Sequence, residues 1–327
     1  MNHKQTIKQS KSAYKQWAVQ WRKHAKFHSK FEMKSFEDFR NTGIGKACLL
    51  VANGYSFEEE LETIKQNKDN VDIICCDKTL GHLLDNGIKP KFCVVCDANV
   101  NYERYLKPWE NQLQDTILFQ NVCGNPEWTT NGNWKDKYFY TLKDVLKNEI
   151  EFVKLSGCPN VITAGTNVSN MMVVLLVQCD NTVKQNLFGY DKMLLIGFDY
   201  SWRDDGKYYA FDQDGGGKFY YMRHIYGIAI SGKFIYTSNN LSSSASWLDL
   251  YVKAFNVNSI QCGQHTLRPC GKLGKLEEQM KYRHKPSDSL EVQTMFIKRQ
   301  SLEKDLQKID NRLKAIAKDH WRASNSI

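Results

Sequence analysis

Short apolar runs alternate with helical patterns through the first third of the chain. Ala47–Val51 is apolar throughout and closes at Asn53-Gly54, the length and setting of a buried strand. Ser56-Phe57-Glu58-Glu59 follows, then Leu61 and Ile64; serine with glutamate three residues on predicts a capping box at a helix start. The run 71–76 ends in Asp77, after which Leu80, Leu83 and Leu84 keep helical spacing until Gly87 and Pro90 stop it. A third run, 92–96, leads into Asp97-Ala98-Asn99. Strand, helix, strand, helix, strand at this spacing predicts two βαβ units and therefore parallel strands. Asn53-Gly54 alone also fits a hairpin turn, but the capped helix behind it favours the crossover.

The pattern then loosens. Strands are predicted at 116–120, 138–140, 193–198 and 259–262, and helices at 102–106, 144–153, 171–177 and 243–255, with 128–134 as loop. Ahead of the first strand, Tyr14, Trp17, Trp21 and Ala25 stand at helical spacing among lysines, an amphipathic helix that suits packing on the body better than lying on a membrane. Residues 31–45 read as a connector. Residues 207–240 are dense in Tyr and Phe around Gly215-Gly216-Gly217, which predicts β-ribbons forming a flap. Met295, Leu302, Ile309 and Ile316 step by sevens, a seam for a helix over 290–320 that pairs within the chain or with a second subunit. The expected organisation is an N-terminal helical extension (1–40), a Rossmann-like α/β domain of mostly parallel strands with helices on both faces (41–275, flap 207–240) and a C-terminal helical extension (276–327).

Composition narrows the class. At 327 residues and 42% hydrophobic the chain can bury a large core, and no stretch is apolar for long enough to span a bilayer. The net charge of +9 divides into +7 over residues 1–40, +5 over 271–327 and −3 over 41–270. A nucleic-acid grip would put its basic stripe on the body, so no specific nucleic-acid partner is expected. The start, Met1-Asn2-His3-Lys4, lacks an apolar leader, and ten cysteines without one read as reduced thiols of a cytoplasmic protein. Cys93 and Cys96 have C-x-x-C spacing, but along a strand an odd separation points to opposite faces, which excludes a shared zinc.

Candidate chemistry collects where strands end. Asp77, Asp97 and Asp199 each close an apolar run, at the carboxyl edge where open α/β sheets bind ligands; the competing role for each is to cap the next helix. Gly165-Thr166-Asn167-Val168-Ser169-Asn170 feeds an apolar helix and offers backbone N–H groups to an anion, or else caps that helix. In the flap, His224 is placed to serve as a base near neutral pH, or to make a structural hydrogen bond.

These residues resemble the MptE-like superfamily, which groups 6-hydroxymethylpterin diphosphokinases with motility-associated flagellin glycosyltransferases. The resemblance spans roughly 40–275. It rests on Val51-Ala52-Asn53-Gly54-Tyr55-Ser56, Cys76-Asp77-Lys78-Thr79, Gly87-Ile88-Lys89-Pro90 running to Cys96-Asp97, Gly165-Thr166-Asn167-Val168-Ser169 and Leu195-Ile196-Gly197-Phe198-Asp199-Tyr200, with Gln261-Cys262-Gly263-Gln264-His265-Thr266 as a worn late motif. The chain looks most like the short versions found in tailed bacteriophages. Two departures stand out: Asn53 replaces a glycine of the first turn, and Cys96-Asp97-Ala98-Asn99 stands where the diphosphokinases carry an Asp-Leu-Asp-Gly-like metal motif.

The resemblance implies a nucleotide-sugar-dependent glycosyltransferase, with a CMP-linked nonulosonate as one donor, a glycan or protein hydroxyl as acceptor, and no required cofactor. Asn53, Gly54, Ser56, Asp77, Asp97 and Asn99 would hold base and ribose, Gly165, Thr166, Asn167 and Ser169 the donor phosphate, with His224 and Asp199 catalytic. The alternatives are ATP-dependent diphosphoryl transfer to a pterin, with Mg²⁺ on Asp97, Asp199 and Asp205, and a non-catalytic nucleotide-binding or structural phage protein.

Overall fold

Runs that are apolar at every position cannot leave one face to water, and here they become the inner strands of a parallel sheet covered on both sides. A computed structural model describes residues 3–143, 149–163, 165–177, 187–203, 206, 208–211, 224–266 and 269–281, with backbone alone at 3–13, 149 and 224–226. The described residues belong to one compact unit, 1–283; the expected helix over 290–320 lies outside them.

The strands in chain order are β1 (Ala47–Val51), β2 (Asp72–Cys76), β3 (Phe92–Val95), β4 (Ile117–Asn121), β5 (Asp136–Lys143), β6 (Val161–Thr163), β7 (Lys192–Ile196), β8 (His224–Ile228), β9 (Phe234–Ser238), β10 (Ser259–Gln261) and β11 (Lys272–Leu273). Nine of them form one sheet in the order β11-β10-β7-β1-β2-β3-β4-β5-β6, every described pair parallel. The chain walks outward from β1 to β6, then returns to place β7 on the other side of β1. The switch point of this Rossmann-like α/β sheet therefore lies between β1 and β7.

Alternate side chains feed two cores. Cys48, Leu50, Ile74, Cys76 and Phe92 enter one, and Leu49, Val51, Ile73, Cys75 and Cys93 the other. Cys93 packs in the second and Cys96 against the first, on opposite faces as the strand period requires. The helix Val168–Val177 is buried at every position from Asn170 onward, and it crosses the sheet over β1, β2 and β3. A helix apolar all round belongs in a core. Each large side chain it buries contributes about 1.5–3 kcal/mol.

The N-terminal helix, His3–His28, packs against the helix Glu149–Ser156. Arg22 pairs with Glu151, Trp21 meets Phe152 edge-on at 6.2 Å, and the buried His28 donates from Nδ1 to Val122 O and accepts at Nε2 from Thr129 Oγ1. Burial lowers the His28 pKa to about 4, so the ring packs neutral.

Four expectations from the sequence change. Ser56 does not cap: the residue before the first turn is Tyr55 in αR conformation, and Ser56 Oγ instead accepts from Gly197 N at 2.9 Å. Glu59, freed from a capping box, faces His265 Nε2 at 2.6 Å. The stretch 128–134 is not all loop, because Asn125 caps a helix, Pro126–Asn131, whose first position suits proline. The connector 31–45 holds a 3₁₀ turn, Phe36–Phe39, whose two phenylalanines are core residues. The aromatic stretch yields one antiparallel hairpin, β8–β9, with 212–223 outside the described residues. Among the described residues no helix is long and apolar enough to cross a membrane.

Candidate active site

At the switch point the loops after β1, β7 and β10 approach at backbone distance. Gly54 N donates to Gly197 O at 2.9 Å, and Ser56 N donates to Asp199 Oδ2 at 2.8 Å. A side chain at Gly263 would stand 2.6 Å from Ser56 Oγ and 2.9 Å from Asp199 Oδ1. Asp199 is 1% exposed, and burial raises its pKa against the pull of the Ser56 bonds. Ser56 and Asp199 thus tie the β1 and β7 loops together, with Gly263 of the β10 loop packed against both. Only a space of about 50 Å³ opens there, bordered by Asn53, Gly54, Asn167, Ser169 and Asp199.

The large cavity, about 840 Å³, lies alongside, across the carboxyl ends of β1 to β5. Each strand or the loop behind it contributes: Asn53 after β1, Asp77 and Lys78 after β2, Asp97 and Asn99 after β3, Asn121 at the end of β4, Thr141 within β5. Gly165, Thr166, Asn167 and Ser169 close the opposite wall, so the turn and the strand-end carboxylates expected from the sequence face one space. Asn167 also caps its helix, its Oδ1 accepting from Asn170 N at 2.9 Å. Both roles considered for this turn are compatible, since the cap occupies the side chain while the helix end still borders the cavity.

The electrostatics are mixed. Lys78 and Arg104 bring positive charge to the wall. Lys78 Nζ lies 4.5 Å from the ring centre of Tyr209 and 5.5 Å from that of Tyr105, which holds the cation over two aromatic faces. Asp77 accepts from Lys78 N at 2.7 Å. Burial, helped by the charge of Asp97, pushes its carboxyl up to about 6. Asp97 Oδ1 accepts from Asn99 N at 2.9 Å, and Asn99 Oδ1 accepts from Gln20 Nε2 at 2.9 Å, tying the β3 loop to the N-terminal helix. Among the described residues Thr141 Oγ1 is buried without a hydrogen-bond partner, a polar group left for whatever fills the space.

The buried Asp77 has a pH consequence. Unfolded, it ionises near pH ~3.9; folded, it keeps its proton to about 6. Between these values the native state binds more protons, so this group's contribution to stability falls as pH rises and levels above about 6. Asp77→Asn cannot ionise. It is expected to raise the melting temperature at pH about 7.5, by up to roughly 3 kcal/mol in stability, and to leave it unchanged at pH about 4. Thermal unfolding at the two pH values checks this; an equal effect at both would contradict it.

Of the residues expected from the sequence, the structure brings together Asn53, Asp77, Asp97, Asn99, Gly165, Thr166, Asn167 and Ser169. Gly54 and Asp199 border the small space, and Ser56 lies beneath it. His224 opens β8 opposite Ser238, and its side chain lies outside the described residues. The sequence reading missed Trp21, Lys78, Arg104, Tyr105, Asn121, Thr141, Tyr208 and Tyr209. Lys78 carried a signal, adjoining Asp77 at a helix start, and Trp21 sat in a stripe read as packing. Thr141 had none, because β5 runs past its apolar stretch.

Three comparisons bear on this geometry. No curated protein matches the chain. Among solved structures it is similar to the MAf glycosyltransferase from Magnetospirillum magneticum AMB-1, with a TM-score of 0.58 and 14% identity over 82% of this chain and 39% of that one. The chain thus spans about two fifths of that protein's length, and at this identity the likeness is one of fold. The model of the family described as MptE-like, 6-hydroxymethylpterin diphosphokinase MptE-like, matches residues 21–205, from Trp21 at the cavity wall through the β7 loop. With more than half of its length matched, the chain belongs to the MptE-like family.

Proposed function

We propose that this protein is a glycosyltransferase that takes its sugar from a nucleotide-linked donor, a CMP-linked nonulosonate being the donor that the family resemblance implies. The carrying observation is one cavity of about 840 Å³ in which cations, a helix N-terminus and strand-end carboxylates face each other. Ligand pockets typically measure roughly 300–1,000 Å³. Lys78, Arg104 and the first turn of Val168–Val177 suit the donor phosphate. Trp21 and Phe152, set edge to face, give an apolar aromatic corner on which the base can stack, and Asp77, Asp97, Asn121 and Thr141 supply hydrogen bonds between.

In the proposed reaction the acceptor oxygen attacks the anomeric carbon. The bond from that carbon to the phosphate oxygen breaks, its electron pair leaves on the nucleotide, and the acceptor proton passes to a base. Cations and helix amides can stabilise the leaving phosphate without a metal. We assign the base to His224, at the start of the flap hairpin; Asp199 holds the loops that border the phosphate wall. His224→Ala is expected to lower turnover about a hundredfold with donor affinity retained; unchanged turnover would remove the assignment.

The competing reading, diphosphoryl transfer from ATP to a pterin, has the family's description in its favour. It normally recruits magnesium on carboxylates. Of the three carboxylates this reading needs, Asp97 borders the large cavity, Asp199 is buried against Ser56, and Asp205 lies outside the described residues. CMP is therefore expected to bind in EDTA by calorimetry, and transfer from a CMP-sugar to persist there. Mg²⁺-dependent release of AMP from ATP with a hydroxymethylpterin, without turnover of CMP-sugar, would overturn this order.

A further inference from the structure

A second cavity, about 370 Å³, lies against the other side of the β3 loop, between the N-terminal helix and the start of Pro126–Asn131. It shares the segment Ala98–Asn101 with the large cavity, so the loop that follows Asp97 is a common rim. The chemistry of its lining is different. Lys78 and Arg104 border the large space, whereas no Lys or Arg among the described residues lines the second. Its wall carries Gln20, Asn99, Asn101 and Asn125 with the carboxylates Glu103 and Glu127. Glu103 is paired with Lys107 and His24 also lines the wall, so the charge an anionic nucleotide would meet there is that of Glu127.

Asn125 is fully used, its Nδ2 donating to Val100 O and Glu127 and its Oδ1 accepting from Glu127 N, while its neighbours keep a polar group open. Asn101 Oδ1 accepts from Arg104 N at 3.0 Å, leaving its Nδ2 to the cavity. Asn99 Oδ1 accepts from Gln20 Nε2 at 2.9 Å, leaving Asn99 Nδ2 and Gln20 Oε1. Glu127 Oε2 accepts from Asn125 Nδ2 at 3.0 Å, leaving Oε1. The open groups are amide donors beside carbonyl and carboxylate acceptors, fixed in orientation before any ligand arrives. A hydroxyl both donates and accepts, so vicinal hydroxyls pair with such a set at both ends. Preorganised groups of this kind lose little entropy on binding.

We propose that this second cavity is the acceptor subsite and that it takes a neutral, polyhydroxylated sugar. The inference rests on the glycosyltransferase reading, because the shared rim sets an acceptor hydroxyl beside a donor held in the large cavity. It commits the acceptor to an uncharged glycan, since the lining favours hydroxyls and repels phosphate and carboxylate.

The test uses the full chain and saturation-transfer NMR with galactose, glucose and N-acetylglucosamine, each with and without saturating CMP. At least one of these sugars is expected to bind with CMP present. Asn101→Asp keeps the helix cap and replaces the open donor by an acceptor. Glu127→Ala removes the open acceptor from an exposed side chain. Each is expected to weaken that sugar about fivefold or more with the melting temperature unchanged, and Glu127→Ala, whose side chain lines the second cavity and not the large one, with CMP affinity by calorimetry unchanged as well. Binding of none of the three sugars, displacement of the sugar by CMP, or sugar affinity untouched by both variants would overturn the assignment. Failure of CMP to bind the wild-type chain would instead count against the donor reading, while the sugar measurements without CMP still decide what the second cavity holds.

Discussion

Gly197→Ala is expected to destabilise this protein by more than about 4 kcal/mol, an effect outside the ordinary range for a point substitution. Gly197 has φ +73°, a conformation that costs a side chain energy wherever it occurs. Here there is also no room. An added Cβ would lie 2.6 Å from the Ala52 carbonyl carbon and overlap its oxygen. That carbonyl belongs to the crossing of the β1 and β7 loops, where Gly54 N donates to Gly197 O and Gly197 N donates to Ser56 Oγ. Relief would require parting the two central strands. Gly157 is the control: its φ is +70°, yet a Cβ there would meet nothing within 4 Å. Gly157→Ala is expected to cost about 1 kcal/mol. Denaturant midpoints of the two variants check this, and a Gly197→Ala midpoint equal to that of Gly157→Ala would show that the loops yield.

Lys78→Glu is expected to reduce affinity for CMP more than about a hundredfold. The Lys78 ammonium is held over Tyr209 and Tyr105 at the cavity wall, where Asp77 and Asp97 already supply negative charge. Glutamate there would remove the attraction for phosphate and add a third like charge. Lys78→Met keeps the apolar stem, loses only the charge, and should fall between Lys78→Glu and wild type. The residual binding of both variants should depend less on salt, because the screened attraction is gone. Calorimetry at low and high salt is the measurement. Affinity for CMP within threefold or so of wild type in Lys78→Glu, well under the ~1.5–3 kcal/mol expected of a lost charged contact, would place the phosphate elsewhere.

The parallel sheet was legible because its signal is local and repeated. Ala47–Val51 is buried at every position, and a run apolar on both faces identifies an inner strand without reference to partners. Helices that begin with proline or end within an apolar stretch were harder. Pro126–Asn131 reads as loop because its Thr and Asn have poor helix propensity, and tertiary packing of Trp128 outweighs that preference. The Ser56 capping box failed for a related reason. Its side chain has a stronger claim across the sheet, at Gly197 N, than along its own helix, and a contact 141 residues away leaves no trace in local spacing.

By itself, then, the sequence determined the fold class, the strand ends and the chemical character of the strand-end turns, since periodicity and turn residues act over a few positions. The tertiary structure decided how those ends are shared out. Asp77, Asp97 and Asp199 look alike along the chain, each closing an apolar run. Return of β7 to the far side of β1 buries Asp199 against Ser56, while the outward walk from β1 to β5 leaves Asp77 and Asp97 facing open volume. The N-terminal helix enters that volume with Trp21 only because Arg22 finds Glu151 and Trp21 itself packs on Phe152 of a distant helix. Strand order and helix docking depend on pairings between remote segments. Those are fixed by mutual burial of whole surfaces, which residue spacing along the chain does not encode.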